Sequence, residues 1–156
     1  MNEIEFIVDT YGDMLLRICY LQLHSLQDAE DALQDTYLRY IRKAPSFKCE
    51  EHRKAWLIRV AVNICRDIMR KNKRHLTENI DDLPATAALP ENEEGEVLST
   101  LMKLPEKYSS VMLLHFSEGY NYKTIAKMIG KSESAVKMRI KKGREMFIKI
   151  YKEDKL

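Results

Sequence analysis

The acidic segment from residue 77 to residue 96 constrains the fold most, because it divides the chain into two short parts. It holds seven acidic residues and no basic one, together with two prolines and a glycine. A run of like charges interrupted by such residues is typical of a linker. The residues before it carry 13 basic and 11 acidic side chains, and those after it carry 13 and six. We therefore predict two small lobes, residues 1–76 and 99–156, joined by an acidic linker over residues 77–98.

Helix breakers are scarce, because the whole chain has only five glycines and four prolines. In the first lobe apolar residues recur every three or four positions in three stretches, which is the helical period, and no alternating strand pattern of useful length occurs. We predict a bundle of three helices, with Val8 and Ile41 on the inward stripes of the first two. The inward stripe predicted for the third helix is Ala55, Trp56, Val60, Ile64 and Ile68.

The second lobe has helix caps and helix breakers at the positions typical of a helix-turn-helix domain. Pro105 stands at the predicted first position of a helix that Gly119 ends. Asn121 is the predicted N-cap of a short helix, which Gly130 terminates. Ser132 is the predicted N-cap of a longer, basic helix. This order of helix, short turn with glycine and second helix predicts a helix-turn-helix, so the predicted fold class is all-α in both lobes.

The last predicted helix is basic on one side. At about 100° per residue, its inward stripe is Val136, Ile140, Gly143 and Phe147. The opposite face holds Lys137, Met138, Lys141, Lys142 and Glu145, flanked by Arg139 and Arg144. Long cations on a helix that fits the major groove can pair with phosphates and with guanine edges. A solvated charged face is the alternative, but the turn pattern and the basic second lobe both favour DNA binding.

The patterns of an enzyme or a metal site do not occur in the sequence. It has no phosphate-binding glycine loop, no dinucleotide fingerprint and no H-E-x-x-H. The three cysteines and four histidines are scattered, and the run Asp28–Asp31 lacks the glycine and closing glutamate of a calcium loop. The start has no signal-peptide pattern, and no apolar run reaches the length of a membrane span. We predict a cytoplasmic protein that is not an enzyme, takes no small-molecule substrate and needs no cofactor or metal.

Four groups of residues, in order along the chain, carry a resemblance to a known family. They are DAEDALQDTYLR at residues 28–39, Phe47 with WLIRVAVNICRDIMR at 56–70, LPEKY at 104–108 and AVKMRIKKGR at 135–144. Together they resemble the extracytoplasmic-function (ECF, group IV) sigma factors of bacterial RNA polymerase. The resemblance covers nearly the whole chain and implies that the first lobe is sigma region two and the second lobe is region four.

The resemblance implies that the partners are core RNA polymerase and promoter DNA. The second helix matches the surface that docks on the clamp helices of the largest polymerase subunit, and the flap of the polymerase is a further contact. The residues matched to core binding are Asp31, Leu33, Gln34, Asp35 and Leu38. An amphipathic helix with a solvated acidic face is the alternative for this surface. The family also implies an anti-sigma factor as a partner.

The resemblance further implies that the first lobe captures an unpaired base of the −10 element and that the second lobe recognises the −35 duplex. The loop from Arg42 to Arg53 and the start of the third helix match the part that holds the flipped base. The −10 contacts are assigned to Phe47, Trp56, Arg59, Asn63, Asp67 and Arg70. A lone tryptophan among apolar neighbours is also a common core residue, and this alternative stays open. The −35 contacts are assigned to Lys123, Lys127, Ser134, Lys137, Met138, Arg139, Lys141, Lys142 and Arg144.

Three positions depart from the family pattern. Ser109 stands where many members have an arginine, so the loss of one phosphate contact is expected. Met138 and Lys141 stand where small or aromatic residues are frequent, which bears on the −35 sequence but not on the docking mode.

We therefore predict a non-enzymatic initiation factor that binds core polymerase, recognises both promoter elements and starts melting. The alternative is a dimeric helix-turn-helix repressor or activator, with the first lobe used for dimerisation or sensing. The resemblance also implies that the linker threads the active-site cleft and RNA exit path of the polymerase. There Glu91, Glu93, Glu94 and Glu96 would mimic the RNA backbone, and a passive tether is the alternative.

Overall fold

A computed structural model describes residues 2–43, 45–74 and 92–154, and within these ranges every regular element is a helix. The elements are α1 (Glu3–Leu23), α2 (Leu26–Lys43), α3 (Glu50–Arg74), α4 (Glu93–Met102), α5 (Glu106–Met112) continued by a π-helical segment (Leu113–Ser117), α6 (Tyr122–Ile129) and α7 (Glu133–Asp154). The chain forms two compact units. The first lobe comprises α1–α3 and the second lobe α4–α7, so the all-α prediction is confirmed. Among these helices none is both long and apolar enough to cross a bilayer.

Local signals set the helix ends of the first lobe. The side chain of Asn2 accepts the backbone N–H of Glu5 at 2.8 Å and so caps the start of α1. α1 ends where His24 adopts a left-handed φ of 54°. α2 ends at Lys43, two residues before Pro45, which cannot continue a helix. Each of the three helices packs against the other two, which confirms the predicted bundle.

The core of the first lobe takes apolar side chains from all three helices. Its largest fully buried members include Ile7, Leu15, Ile18, Leu21, Leu57 and Ile58. The stripe predicted for α3 is wrong in part, because Ile64 is its one buried member and the buried line runs instead through Leu57, Ile58 and Ala61. Apolar residues are consecutive in α3, so a spacing of three to four can be drawn along more than one line.

Two residues that the spacing placed inward point outward. Val8 is 43% exposed and Ile41 is 57% exposed. Each directly follows a buried residue, Ile7 and Tyr40 respectively. Successive residues of a helix are rotated by about 100°, so a stripe drawn too wide includes neighbours that face water.

α4 begins inside the range that the sequence predicts as linker. The side chain of Asn92 accepts a backbone N–H of the first turn at 3.1 Å, and Leu98 and Leu101 are buried. The glutamates here indicated a linker by their charge, although acidic residues also favour the first turn of a helix. Residues 77–91 of the predicted linker lie outside the described residues, and the lobe boundaries at 76/77 and 98/99 stay predictions.

The helix-turn-helix is confirmed in α6 and α7. Asn121 and Ser132 each accept a backbone N–H of the helix that follows, at 2.8 and 3.1 Å, and Gly130 has a left-handed φ of 69°. Pro105 differs from the prediction, because its ψ of 146° makes it the N-cap of α5, which begins at Glu106. Proline supplies the φ of a helix start, but its extended ψ places it one residue outside the helix.

α7 packs against α4, α5 and α6 and so holds the second lobe together. Val136, Ile140 and Gly143 are buried, as predicted, and Phe147 is half-buried. At the far end of α7, Asp154 forms an ion pair of 2.5 Å with Lys103, directly after α4. The basic face of α7 is thereby presented on a helix whose other side is fixed.

Candidate polymerase and DNA interfaces

The residues predicted to bind core polymerase lie mostly on the outer side of α2. Asp31, Gln34 and Asp35 are exposed, and Leu38 is 46% exposed. Their spacing of three, four and seven places these four side chains on one face. Leu33 is half-buried and does not belong to that face. The face combines two carboxylates with an exposed apolar side chain, which suits a partner that carries cations around a small apolar patch.

Ile41 extends this face, although the sequence analysis assigned it to the inward stripe. It follows Leu38 by three positions, and both side chains are among the exposed large hydrophobic residues. Two such residues on one helix face favour an interaction surface over a fully solvated one. The spacing between Leu38 and Ile41 was the signal in the sequence that could have indicated this.

Phe47, in the segment of residues 45–49 between α2 and α3, packs on two other aromatic rings. Its centroid lies 6.2 Å from that of Tyr40, in a stacked arrangement, and 5.9 Å from that of Trp56, edge to face. Tyr40 and Trp56 are 5.8 Å apart. Phe47 and Trp56 are each half-buried. Trp56 is thus partly a core residue, and neither side chain is fully buried.

Arg53, predicted only as the end of the loop matched to base capture and with no role of its own, lies beside these rings. Its Nη1 is 2.8 Å from Glu50 Oε1, and its Nη2 is 3.4 Å from Glu3 Oε1. The hydroxyl of Tyr40 donates to the same oxygen of Glu3, and that of Tyr11 donates to Glu50 at 2.6 Å. Most of these contacts join residues far apart in the chain, so no local spacing could have indicated them.

The two tyrosine hydroxyls of this network are held in the protonated form. Burial, assisted by the hydrogen bond to Glu50, raises the pKa of Tyr11 to about 12. Burial and the hydrogen bond to Glu3 likewise raise the pKa of Tyr40 to about 12. A phenolate beside a carboxylate would lose the hydrogen bond and add like-charge repulsion. The network is therefore complete at neutral pH.

The remaining residues predicted for the −10 element follow α3 along one side. Arg59, Asp67 and Arg70 are exposed, and Asn63 is half-buried. Counted from Trp56, the steps of three and four residues keep all of them on the same side of the helix. Arg70 and Asp67 form an exposed ion pair of 3.8 Å. Such a pair contributes little to stability, so Arg70 can exchange it for a phosphate contact at small cost.

Nearly all of the residues predicted for the −35 element are at the surface. The exposed ones are Lys123, Lys127, Ser134, Lys137, Met138, Lys141, Lys142 and Arg144. Arg139 is half-buried, and Met138 is 66% exposed. The outer side of α7 therefore offers cations and one thioether opposite its buried line. This is the geometry of a helix that can enter the major groove with its inner side packed on the domain.

Aromatic rings of neighbouring elements hold two of these cations in place. Lys142 Nζ lies 5.8 Å from the centre of the Tyr108 ring in α5. The guanidinium of Arg144 lies 5.0 Å from the centre of the Phe116 ring in the π-helical segment. Cation–π contacts of this kind restrict a side chain and leave its charge near the surface. Lys142 and Arg144 therefore occupy defined positions on the two flanks of α7.

Two polar side chains of the second lobe bond to the backbone. Ser109 is fully buried, and its hydroxyl donates to the carbonyl of Glu106 at 3.4 Å. The loss of a phosphate contact expected at this position stays a prediction. His115 Nδ1 lies 2.8 Å from the carbonyl of Tyr120 and donates to it, which fixes the turn that leads into α6.

The thiols and the possible metal ligands add no further site. Within residues 2–43, 45–74 and 92–154, no group of His, Cys, Asp and Glu side chains could hold a metal ion. Cys19 and Cys65 are buried, Cys49 is exposed, and all three are free. The hydrogen bond with Cys19 and burial raise the pKa of the Cys65 thiol, which makes it less reactive.

Two protein families match this chain, one in each lobe. The family described as Sigma-70 region 2 matches residues 7–75. The family described as Sigma-70, region 4 matches residues 94–147.

Relatives of known function match most of the chain. The ECF RNA polymerase sigma factor SigM of Mycobacterium tuberculosis is 33% identical over 147 residues, which cover 87% of this chain and 75% of that protein. The ECF RNA polymerase sigma factor SigW of Bacillus subtilis is 29% identical over 156 residues, which cover 89% and 83%.

A solved structure shares the fold. It is the sigma factor RpoE of Bartonella quintana in complex with the anti-sigma factor NepR, with a TM-score of 0.76 and 21% identity. The match covers 97% of this chain and 98% of that one.

Proposed function

The chain belongs to the ECF sigma factors of the sigma-70 family, and from this premise we propose how its two lobes share promoter recognition. It is an RNA polymerase sigma factor, which binds core polymerase and promoter DNA and directs promoter-specific initiation. In our proposal the first lobe contacts core polymerase and the −10 element, and the second lobe contacts the −35 element. The matches to region 2 and region 4, one in each lobe, support this division.

The observation that carries the proposal for the −35 element is the outward basic face of α7. Lys137 and Lys141 are exposed there, while Val136 and Ile140 are buried on the opposite side. In our proposal α7 enters the major groove, its outer side chains contact base edges, and the flanking cations contact phosphates. Lys123 and Lys127 on α6 contact the sugar–phosphate backbone of the DNA beside the groove.

For the −10 element we propose that the single DNA strand crosses the segment formed by residues 45–49 and then follows α3. Phe47 and Trp56 supply ring surface for an unpaired base, and Asn63 supplies donors and acceptors for a base edge. Arg59 and Arg70 lie on the same side of α3, where cations can follow the phosphates. Capture of an unpaired base favours the open duplex, which is how melting starts.

For core polymerase we propose that the outer face of α2 is the main contact of the first lobe. Asp31 and Asp35 would pair with cations of the polymerase, and Leu38 with Ile41 would be buried against its apolar surface. A dimeric repressor or activator is not favoured, because the match to region 2 spans residues 7–75 and accounts for the first lobe.

We also propose an anti-sigma factor as a regulatory partner, since the solved sigma factor of similar fold is bound to one. In our proposal the protein acts in the cytoplasm, where polymerase and promoters are. It performs no bond-making chemistry of its own, because RNA synthesis belongs to the core enzyme.

Run-off transcription tests the function directly. Bacterial core polymerase is supplied with fragments of the genome that encodes this chain, with and without the protein, and the 5′ ends of the transcripts are sequenced. We expect new transcripts whose start sites share one pair of −10 and −35 sequences. Transcripts that are the same with and without the protein would contradict the proposal.

A further inference from the structure

Arg53 is unusually enclosed for a charged residue at the start of a helix that faces solvent. Its side chain is 19% exposed. Long cationic side chains are rarely so buried unless they are paired. Two carboxylates provide that pairing, Glu50 from the same first turn of α3 and Glu3 from the first turn of α1.

The guanidinium of Arg53 also faces the ring of Phe47. Its central carbon lies 5.9 Å from the Phe47 ring centre and 6.0 Å from that of Phe6. Phe47 stacks in turn on Tyr40, whose hydroxyl donates to Glu3. Glu3 therefore connects two of the three neighbours of Phe47, since it accepts hydrogen bonds from Tyr40 and from Arg53. We call Glu3, Tyr40, Phe47, Glu50 and Arg53 the Arg53 cluster.

Phe47 is thus contacted by Tyr40, Trp56 and Arg53, none of which belongs to its own segment. Residues 45–49 have no regular secondary structure, so these contacts are what fixes the ring.

We propose that Arg53 is a positioning residue for −10 recognition, because it fixes Phe47 and the residues 45–49 segment in place before DNA arrives. This inference rests on the proposed role of that segment at the −10 element. A segment that is already ordered loses less conformational entropy on binding, and it offers one shape to the incoming base. Arg53 thereby contributes to base selection without contacting DNA.

The first experiment measures the Arg53 cluster without DNA. Trp56 is the one tryptophan of the chain, and it packs edge-on against Phe47, so its fluorescence reports on that contact. In Arg53→Met we expect acrylamide to quench Trp56 about twofold more strongly, because a released Phe47 uncovers the indole. Arg53→Lys, which retains the charge but not the planar group, is expected to lie between Arg53→Met and the unaltered protein.

The second experiment measures base selection by holoenzyme. A forked DNA with a fixed −35 duplex and randomised single-stranded −10 positions is bound, recovered and sequenced. For Arg53→Met we expect the preference at the captured base to fall about tenfold, with the −35 preference and core binding unchanged. Lys48→Met is the matched control, because it removes an exposed cation from the same segment without touching the cluster. It is expected to weaken binding evenly across sequences.

The outcomes separate this inference from the proposed function. If the unaltered holoenzyme prefers no base in the −10 strand, the proposed role of the segment is wrong and the inference falls with it. If it prefers a base and Arg53→Met prefers the same base equally, Arg53 is not a positioning residue, although the −10 role stands. A third outcome is that Arg53→Met changes all four measurements in proportion to the fraction of unfolded protein: Trp56 quenching, −10 binding, −35 binding and core binding. Arg53 would then only stabilise the fold, and the inference would be overturned.

Discussion

Gly143 in α7 lies directly against the thioether of Met112 in α5: a Cβ built on Gly143 would be 2.8 Å from Met112 Sδ. It would also be 3.2 Å from the Cβ of Tyr108. Glycine inside a helix is less favourable than alanine by about 1 kcal/mol, so its presence in mid-helix needs a reason. The close approach of α7 to α5 is that reason, and this approach sets where the basic face of α7 stands.

We expect Gly143→Ala to destabilise the second lobe by about 1 kcal/mol, because overpacking costs roughly 1–3 kcal/mol and exceeds the gain in helix propensity. Urea unfolding followed by circular dichroism measures the change. In a Met112→Ala background the clash with the thioether is removed and only the 3.2 Å approach to the Cβ of Tyr108 remains, so Gly143→Ala should there be less destabilising. Equal effects in both backgrounds would contradict the steric explanation.

The outer face of α7 should divide into residues that contact bases and residues that contact phosphates. We expect Lys137→Ala to weaken binding to the cognate −35 duplex by about 1–3 kcal/mol and to relax its preference at one position. Lys142→Ala, on the flank beside Tyr108, should weaken binding to all sequences alike and reduce its salt dependence. Fluorescence anisotropy with cognate and scrambled duplexes distinguishes the two.

Lys149→Ala is the control for these two variants, because it lies on α7 beyond the part that matches region 4. It should leave the binding of both duplexes nearly unchanged. A loss that is equal on cognate and scrambled DNA would make Lys137 a phosphate contact as well.

The acidic outer face of α2 should be specific for core polymerase. We expect Asp31→Asn with Asp35→Asn to weaken holoenzyme assembly about ten- to hundredfold, because cations of the polymerase lose their partners at the interface. Asp9→Asn with Asp13→Asn is the matched control, since these acids are also exposed and four residues apart, but on α1. Native gel titration of core polymerase measures assembly. Similar losses in both double variants would mean that net charge matters and the α2 face does not.

The tyrosine hydroxyls predict how the first lobe responds to alkali. The pKa values of Tyr11 and Tyr40 are raised from 10.0 to about 12 by burial and by their bonds to carboxylates. The stability they add is therefore complete below pH 10 and is lost progressively as the pH rises through 12, with a loss on the order of 1 kcal/mol for each group by pH 11. Urea unfolding followed by Trp56 fluorescence at pH 8 and pH 11 measures the loss. Tyr11→Phe with Tyr40→Phe should lose much less over this interval, and an equal loss would contradict the assignment.

Local chemistry explains which parts of the structure were predictable. The caps at Asn121 and Ser132 and the turn at Gly130 depend on residues within one helical turn of them, so the helix-turn-helix was evident in the sequence. The start of α4 was missed because charge favoured a linker more strongly than Asn92 indicated a cap. The contacts of the Arg53 cluster join α1, α2 and α3, and no periodicity within one helix can show them.

The buried side of α3 shows a second limit of what apolar spacing can predict. Spacing predicts that a helix has a buried side, but neighbouring helices decide which side it is when apolar residues are consecutive. For the same reason spacing alone predicts Ile41 on the buried side of α2, whereas the structure places it on the exposed face that begins at Asp31. The exposed side of α2 was therefore predicted without Ile41, whereas the exposed side of α7 was predicted nearly in full. Whether either side binds a partner stays a prediction.

The glutamates near the start of α4 allow two roles to be separated. Glu93 and Glu96 are exposed in α4, where an acidic first turn stabilises a helix by about 0.3–1 kcal/mol for each charge. The resemblance gives Glu91, Glu93, Glu94 and Glu96 a second role as a mimic of the RNA backbone inside the polymerase. Stability and initiation therefore have to be measured on the same variants.

We expect replacement of all four glutamates by glutamine to weaken holoenzyme and to change the pattern of abortive transcripts, most clearly at low salt, where charges are screened least. Asn92→Ala is the control, because it removes the cap of α4 at a cost of about 1 kcal/mol and leaves every charge in place. Gel analysis of abortive transcripts over a salt series, together with urea unfolding, measures both effects. If Asn92→Ala changes the abortive pattern as much as the glutamine variant does, the glutamates act through the stability of α4. If neither variant changes it at any salt concentration, this part of the chain is a passive tether.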